Sequence, residues 1–391
     1  MKYNLKKQLK GEKKMLSRTP PMGWNTWNTF AHNINEQLIK ETTDQIIELG
    51  YKDCGYEYVV IDDCWAEKQR DENGLLVPDK EKFPNGIKAV SDYVHSKGLK
   101  FGIYSCAGVR TCADYPGSFG HEFSDAKQFA EWGVDFLKYD FCNFPASANC
   151  KLAYATMSMA LKACGREILF SACNWGTEEP WNWMRSIGVH MYRSTRDILD
   201  NFVSYREIAE SQIDKLSMSA PGCWNDPDML IVGMHGKGHV GVDSGCTDEE
   251  YKTHFGLWCM FSAPLMMGGD IRTLSEANKQ LLQNEHLIAI NQDEEGRPPF
   301  EINNMYYNTY DTRIFIKHLA NNEFAIGMFN FSDWDKEITA LFHSAGLPYY
   351  TGIGFELIDA FTGENLGVYK DSYTKKIPSH GCAILRGKFA K

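Results

Sequence analysis

The chain has 391 residues, 41 Lys+Arg against 51 Asp+Glu, and a formal charge of −10, enough for two or three ordinary domains or one large barrel with a smaller partner. Its 43% hydrophobic and 24% charged residues are ordinary for a globular protein with a sizeable core, and the acidic balance excludes the basic footprint of a nucleic-acid binder. The longest weakly polar run, around residues 256–269, is too short and too interrupted to span a bilayer, and twelve cysteines without a C-x-x-C are too dilute for a disulfide scaffold.

Residues 1–17 form a basic extension without the apolar stretch or small-residue cleavage site of a signal peptide; taken as the natural start, it predicts a cytoplasmic protein, expected to be bacterial and intracellular. From residue 18 to 295 one pattern recurs: a short β-rich run, then a segment of helical period. The runs fall at 21–27, 56–62, 100–105, 134–140, 168–173, 190–193, 218–224 and 264–268. Asn35 caps the first helix, with Leu38, Ile39, Thr42, Ile46 and Ile47 on one face and Gly50 as its stop. Ile87, Val90 and Val94 mark the second helix before Gly98, Ser124 and Gly133 bound the third, and Met157, Ala160 and Leu161 mark the fourth. Thr247 with Glu250 three residues later reads as a capping box, and Ser275 as the last cap. Strands alternating with helices imply parallel βα units. Eight of them favour a (β/α)8 TIM barrel over a doubly wound sheet.

After residue 293 the rhythm changes. Residues 296–299 read as a linker, and from 300 to 391 short alternating runs at 313–317, 324–329 and 355–358 predict a C-terminal antiparallel β domain, a sandwich.

Chemistry on a TIM barrel sits at the C-terminal strand ends. In order these carry Trp24 and Trp27, Asp62 and Asp63, Tyr104, Lys138 and Asp140, Asn174 and Trp175, Arg193 and Asp197, then Asp226 and Asp228. Each residue alone has an ordinary reading: an Asp after a strand is usually a cap or turn residue, and a Trp there usually packs. Together, carboxylates from four strands with a Lys, an Arg and aromatics at one rim, Trp65 among them, suit a sugar. Its hydroxyls meet the charges and its C–H faces meet the rings, and glycosidic cleavage needs two carboxyl groups about the anomeric carbon. Gly236-Lys-Gly-His-Val-Gly241 matches G-x-G-x-x-G but not in a strand-to-helix turn, so it reads as a loop over the barrel mouth. The eleven His are scattered, and neither a metal nor a cofactor is expected.

Arg18-Thr-Pro-Pro-Met-Gly-Trp-Asn-Thr-Trp27, Ile61-Asp-Asp-Cys-Trp65, Gly98-Leu-Lys-Phe-Gly-Ile-Tyr104, Pro116-Gly-Ser-Phe119, Leu137-Lys-Tyr-Asp-Phe-Cys142, Trp224-Asn-Asp-Pro-Asp-Met229 and Ala289-Ile-Asn-Gln-Asp293 are found in that order. In these blocks the chain resembles the glycoside hydrolase family 27 α-galactosidases over residues 18–295, and the β domain is also what that family has. The resemblance implies a retaining exo-hydrolase of terminal α-linked galactose, with Asp140 as nucleophile and Asp197 as acid/base, the two carboxyls about 5–5.5 Å apart. Lys138 and Arg193 are expected to keep Asp140 ionised, and Asp197, which must begin protonated, to have the higher pKa. Asp62 and Asp63 match the pair that grips the 4- and 6-hydroxyls, Trp27 and Tyr104 match aromatic walls, and Asp228 and Met229 match the far side near the 2-hydroxyl. Cys112 and Cys142 match two positions paired as a disulfide in secreted relatives, and the sequence leaves their state here open.

Two departures stand out. Asn174 lies where many relatives carry Glu, in the loop that decides between a 2-hydroxyl and an N-acetyl group; Trp175 beside it argues for galactose. Cys106 lies where many relatives carry Asp. The rival activities are α-N-acetylgalactosaminidase and β-L-arabinopyranosidase on the same scaffold, with a non-catalytic galactose-binding protein disfavoured by the presence of both Asp140 and Asp197. The expected partner is a terminal α-galactoside on an oligosaccharide or glycoconjugate, with no nucleic acid and no membrane, and a homo-oligomer is left open.

Overall fold

A computed structural model describes residues 15–302, 311–348 and 350–390. Most of the basic extension expected at 1–17 lies outside the described residues. Eight short strands make the first sheet: β1 Met22–Asn25, β2 Tyr58–Val60, β3 Lys100–Cys106, β4 Phe136–Asp140, β5 Leu169–Cys173, β6 Met191–Arg193, β7 Trp224–Asp226 and β8 Leu265–Met267. They pair in parallel in the order β7-β6-β5-β4-β3-β2-β1-β8. The seam between β7 and β8 is closed just beyond β7, where Leu230 N–H donates to Met266 O (2.8 Å) and Leu230 O accepts from Gly268 N–H (2.9 Å). The sheet thereby closes on itself, the expected barrel.

Strand alternation decides which side chains reach the axis. Tyr58, Val60, Phe136, Leu169, Met191, Trp224 and Met266 form one buried cluster inside the barrel, which makes it a packed core, not a pore. The other face of the same strands, Val59, Phe101, Leu137, Tyr139 and Phe170, packs against helix residues such as Ile39, Ile46, Val90 and Met157. In β4 the alternation that turns Phe136 inward also turns Lys138 and Asp140 inward, and these two lie at its C-terminal end.

The helices start where short polar side chains can accept a free N–H. Asn35 accepts from Leu38 N–H, Ser275 from Asn278 N–H, and Thr247 and Glu250 form both arms of a capping box. Ser124 is not a cap. The helix Glu122–Glu131 begins earlier, because Asp125 in its first turn is buried and receives both Arg70 Nη atoms at 2.7 Å, while Ser124 Oγ donates to His121 O. The seventh strand also shifts: residues Ile213–Met218 coil into a 3-10 turn and a turn at Pro221-Gly222 follows, so the strand starts only at Trp224.

The C-terminal part folds as two antiparallel sheets, one of six strands and one pairing Lys336–Leu341 with Ser372–Ile377. Ile314, Ile326, Ile338, Phe342, Phe355 and Leu385 fill a second core. Its six-stranded sheet docks on the barrel through Phe315, Phe329 and Ile384, which join the barrel's outer core. Lys317 is fully buried in this seam, its Nζ donating to Ser262 Oγ (2.6 Å) and to Ile290 O. Among the described residues no helix is long and apolar enough to cross a membrane.

Candidate active site

The C-terminal strand ends converge on a pocket of ≈ 470 Å³, its open mouth included. Trp27, Asp62, Tyr104, Cys112, Lys138, Asp140, Trp175, Arg193, Asp197, Asp228 and Met229 line it, with Asn28, Cys173 and Val240, which sequence reasoning missed. Cys173 was accessible to that reasoning: it is the last residue of β5, in register with Arg193. Val240 belongs to the glycine-rich loop at 236–241, which does cover the mouth. Gly238 has φ +83°, and a Cβ there would lie 2.7 Å from Thr29 Cα, so glycine lets the loop press down on the first βα turn. Val240 N–H then donates to Asn28 O (3.1 Å), and His239 meets Trp27 edge-on at 5.1 Å.

Three expected site residues stand behind the wall. Asp63 is buried, with one carboxylate oxygen accepting from Cys64 N–H (2.7 Å) and the other from Ala113 N–H (2.9 Å). Cys142 forms a disulfide with Cys112, Cα atoms 5.0 Å apart, and the ten other cysteines are free. Asn174 is fully buried and turned away, its amide donating to Thr177 O at 2.6 Å. Trp24 and Trp65, expected at the rim, are core residues: their indole N–H groups donate to Gly269 O and Tyr104 O, both at 2.9 Å.

Two buried ion pairs frame the pocket. Lys138 Nζ donates to Asp62 Oδ2 at 2.8 Å, an oxygen that also accepts from Asn25 Nδ2 at 2.7 Å. Across the mouth Arg193 Nη2 lies 2.6 Å from Asp228 Oδ2 and 2.9 Å from Asp197 Oδ1. Asp228 is held further by N–H donors of Ile198 and Met229, both at 2.7 Å, and has a strained φ of 94°, a cost the surrounding donors offset. Between the pairs sits Asp140. Its Oδ1 accepts from Phe141 N–H (2.9 Å) and its Oδ2 from Tyr104 Oη (3.1 Å).

Burial and the neighbouring charges set the protonation states. Burial pushes the Asp140 carboxyl up to about 6, against the pull of Lys138 and the Phe141 N–H and with the repulsion of Asp62 and Asp197. Burial would depress Lys138, but Asp62 and Asp140 outweigh it and hold the ammonium charged. Burial also acts to raise Asp197, but Arg193 and Lys138 prevail and its carboxyl lies below the usual range. The expected order, Asp197 above Asp140, is therefore reversed. The reason is position: the Asp197 side chain is 69% exposed at the rim against the Arg193 guanidinium, whereas Asp140 is enclosed.

A parallel eight-stranded barrel whose C-terminal mouth presents paired carboxylates, a Lys, an Arg and aromatic walls is a barrel of the glycoside hydrolase class. Residues 19–293 match the family model described as alpha galactosidase A, and residues 309–386 the alpha galactosidase C-terminal beta sandwich domain. The chain belongs to the glycoside hydrolase family 27 α-galactosidases. It is 42% identical over 383 residues to the α-galactosidase of Cyamopsis tetragonoloba, covering 98% of this chain and 89% of that one. The crystal structure of α-galactosidase I from Mortierella vinacea superposes with a TM-score of 0.89 at 34% identity, covering 95% and 97% of the two chains. The Saccharomyces cerevisiae α-galactosidase with raffinose does so at 0.86 and 27% identity, covering 95% and 98%.

Proposed function

We propose that this chain removes terminal α-linked D-galactose from oligosaccharides or glycoconjugates by double displacement, its barrel (residues 18–295) carrying the chemistry and the β domain (300–391) appended to it. The observation that carries the reading is that Asp140, at the end of β4, and Asp197, in the loop after β6, line one pocket, each beside a cation that pairs with a further carboxylate.

In this reading Asp140 attacks the anomeric carbon and forms a covalent galactosyl enzyme. Tyr104 and the Phe141 N–H fix the two carboxylate oxygens for that attack, and Lys138 favours the ionised form. Asp197 protonates the leaving oxygen and then takes a proton from the incoming water. Its depressed pKa at the open rim means that substrate must supply the desolvation: a sugar over the mouth excludes water and competes for the Arg193 donors, and both effects favour the protonated acid. Asp62 accepts from the 4- and 6-hydroxyls, while Asp63 behind it supports the wall, its N–H donating to Asp62 Oδ1 (3.0 Å) and its carboxylate holding the Cys64 and Ala113 N–H groups. Asp228 and Arg193 hold the 2-hydroxyl side. A site built on buried carboxylates rejects an epimer that leaves them unpaired. Cys173 and Trp175 fill the wall where an acetamide would need room, which favours galactose over N-acetylgalactosamine, and an intact Asp62 favours a sugar that keeps its hydroxymethyl group.

The Asp140→Asn variant tests the assignment. It should fold normally and lose turnover of nitrophenyl α-galactoside, and external azide should restore part of it by taking the place of the nucleophile. Near-normal activity in the variant would refute the role. A parallel panel of nitrophenyl α-galactoside, α-N-acetylgalactosaminide and β-L-arabinopyranoside tests the substrate, and activity on the second alone would overturn it.

A further inference from the structure

Asp197 sits on a stretch of chain without regular structure of its own. Between β6 and the helix Phe202–Gln212, residues 194–199 belong to neither helix nor strand, so contacts with other segments decide where its carboxyl stands. Arg193 and Asp228 hold one side, through the Arg193 Nη2 bond to Asp197 Oδ1 and the Ile198 N–H bond to Asp228 Oδ2. The glycine-rich loop that carries Val240 into the pocket holds the other. There Asp200 N–H donates to Val240 O (2.9 Å), and Asp200 pairs with Gly241 in a single parallel bridge.

Asp200 also keeps that loop closed. Its side chain is fully buried; Gly236 N–H donates to Oδ2 (2.7 Å) and Cys246 N–H to Oδ1 (3.2 Å). One carboxylate thus gathers both ends of the loop. Tyr251 Oη, on the helix Asp248–Met260, donates to the same carboxylate (2.9 and 3.1 Å from its oxygens) and accepts from His235 N–H (2.6 Å). A Cβ on Gly245 would lie 2.3 Å from Asp200 Oδ2, so the loop closes this tightly only with glycine. The helix after Asp200 is capped by Asn201, which leaves the Asp200 carboxylate to serve the loop. Burying a carboxylate among neutral donors is costly, and charge-assisted bonds from N–H and O–H groups offset that cost while fixing the donors in place.

We propose that Asp200 is a positioning residue for acid catalysis: by closing the 236–246 loop and binding it to the backbone of the Asp197 segment, it keeps the Asp197 carboxyl at the glycosidic oxygen. The inference rests on the α-galactosidase reading with Asp197 as acid/base. In that step the leaving oxygen takes the Asp197 proton as its bond to the anomeric carbon breaks and the bond from Asp140 forms. A carboxyl displaced by about 1 Å loses much of this assistance.

The leaving group provides the test. Dinitrophenolate departs without a proton, whereas methoxide must be protonated as it leaves. The ratio of kcat/KM on dinitrophenyl α-galactoside to that on methyl α-galactoside therefore reads acid assistance, and it cancels any loss common to both, such as a shifted Val240 wall. A positioned general acid contributes about 10²–10⁴-fold, so losing part of it should raise the ratio about 10-fold in Asp200→Asn and about 3-fold in Tyr251→Phe. Asp197→Ala should raise it further. Equal losses on both substrates, or an unchanged ratio, would overturn the positioning role. Should Asp200→Asn not fold, Tyr251→Phe decides, with a thermal midpoint expected near that of wild type. Asp197→Ala without a raised ratio would instead overturn the acid/base assignment, and wild type that cleaves neither galactoside would overturn the α-galactosidase reading itself.

Discussion

Replacing Lys317 by Met perturbs the seam between barrel and β domain at a single charge. The Lys317 ammonium is fully buried and donates to Ser262 Oγ and Ile290 O, neither of which carries a formal charge. Burial lowers its pKa from 10.5 to about 8, with Asp293 opposing. The unfolded chain thus binds more protons than the native one between those two values, so the contribution of Lys317 to stability rises with pH across that window. At 1.36 kcal/mol per pH unit, the cost of keeping it charged in the fold is about 3 kcal/mol at neutral pH and is relieved by about pH 10.5. Urea unfolding of wild type and Lys317→Met, measured in parallel from pH 7 to pH 10.5, isolates this group because every other titration is common to both proteins. The wild-type minus variant difference should be nearly flat below pH 8 and then climb by about 3 kcal/mol. Two curves that run parallel over the whole range would refute the reasoning, and with it the buried, weakly compensated charge at the seam.

The acid limb of kcat/KM should fall near pH 6, since Asp140 must be ionised to attack and its carboxyl is pushed up to about 6; Lys138→Met removes the opposing cation and should move that limb higher, whereas a limb near pH 4 would contradict the burial argument. Closing the 30-residue separation between Cys112 and Cys142 is worth about 3–4 kcal/mol on the loop-entropy account. Dithiothreitol should accordingly lower the thermal midpoint of wild type but not of the Cys112→Ser/Cys142→Ser double variant, and the same loss is expected in a reducing cytoplasm. Gly238→Ala puts a Cβ 2.7 Å from Thr29 Cα at a φ of +83°, so it should displace the Val240 wall and raise KM for galactosides. Unchanged KM in that variant would mean that the loop is not part of the pocket.

Much of this protein was legible in its residue order. Alternating β-rich and helix-period runs, caps such as Asn35, Thr247 and Ser275, and the shift to short alternating strands after residue 293 follow from local chemistry, and they define the barrel and the antiparallel domain. Period-two alternation in β4 even makes Lys138 and Asp140 share a face. What sequence reasoning misplaced was decided by contacts distant along the chain. Ser124 lost its capping role because Asp125 is tied to Arg70. Trp24 and Trp65 became core because Gly269 O and Tyr104 O accept their indole N–H groups; Asn174 is the local exception, turned away to reach Thr177 O three residues on. The sequence named carboxylates at the strand ends but could not order their acidities. A pKa depends on burial and on charges brought in by other strands, and only the closed barrel encloses Asp140 while leaving Asp197 at the rim against Arg193.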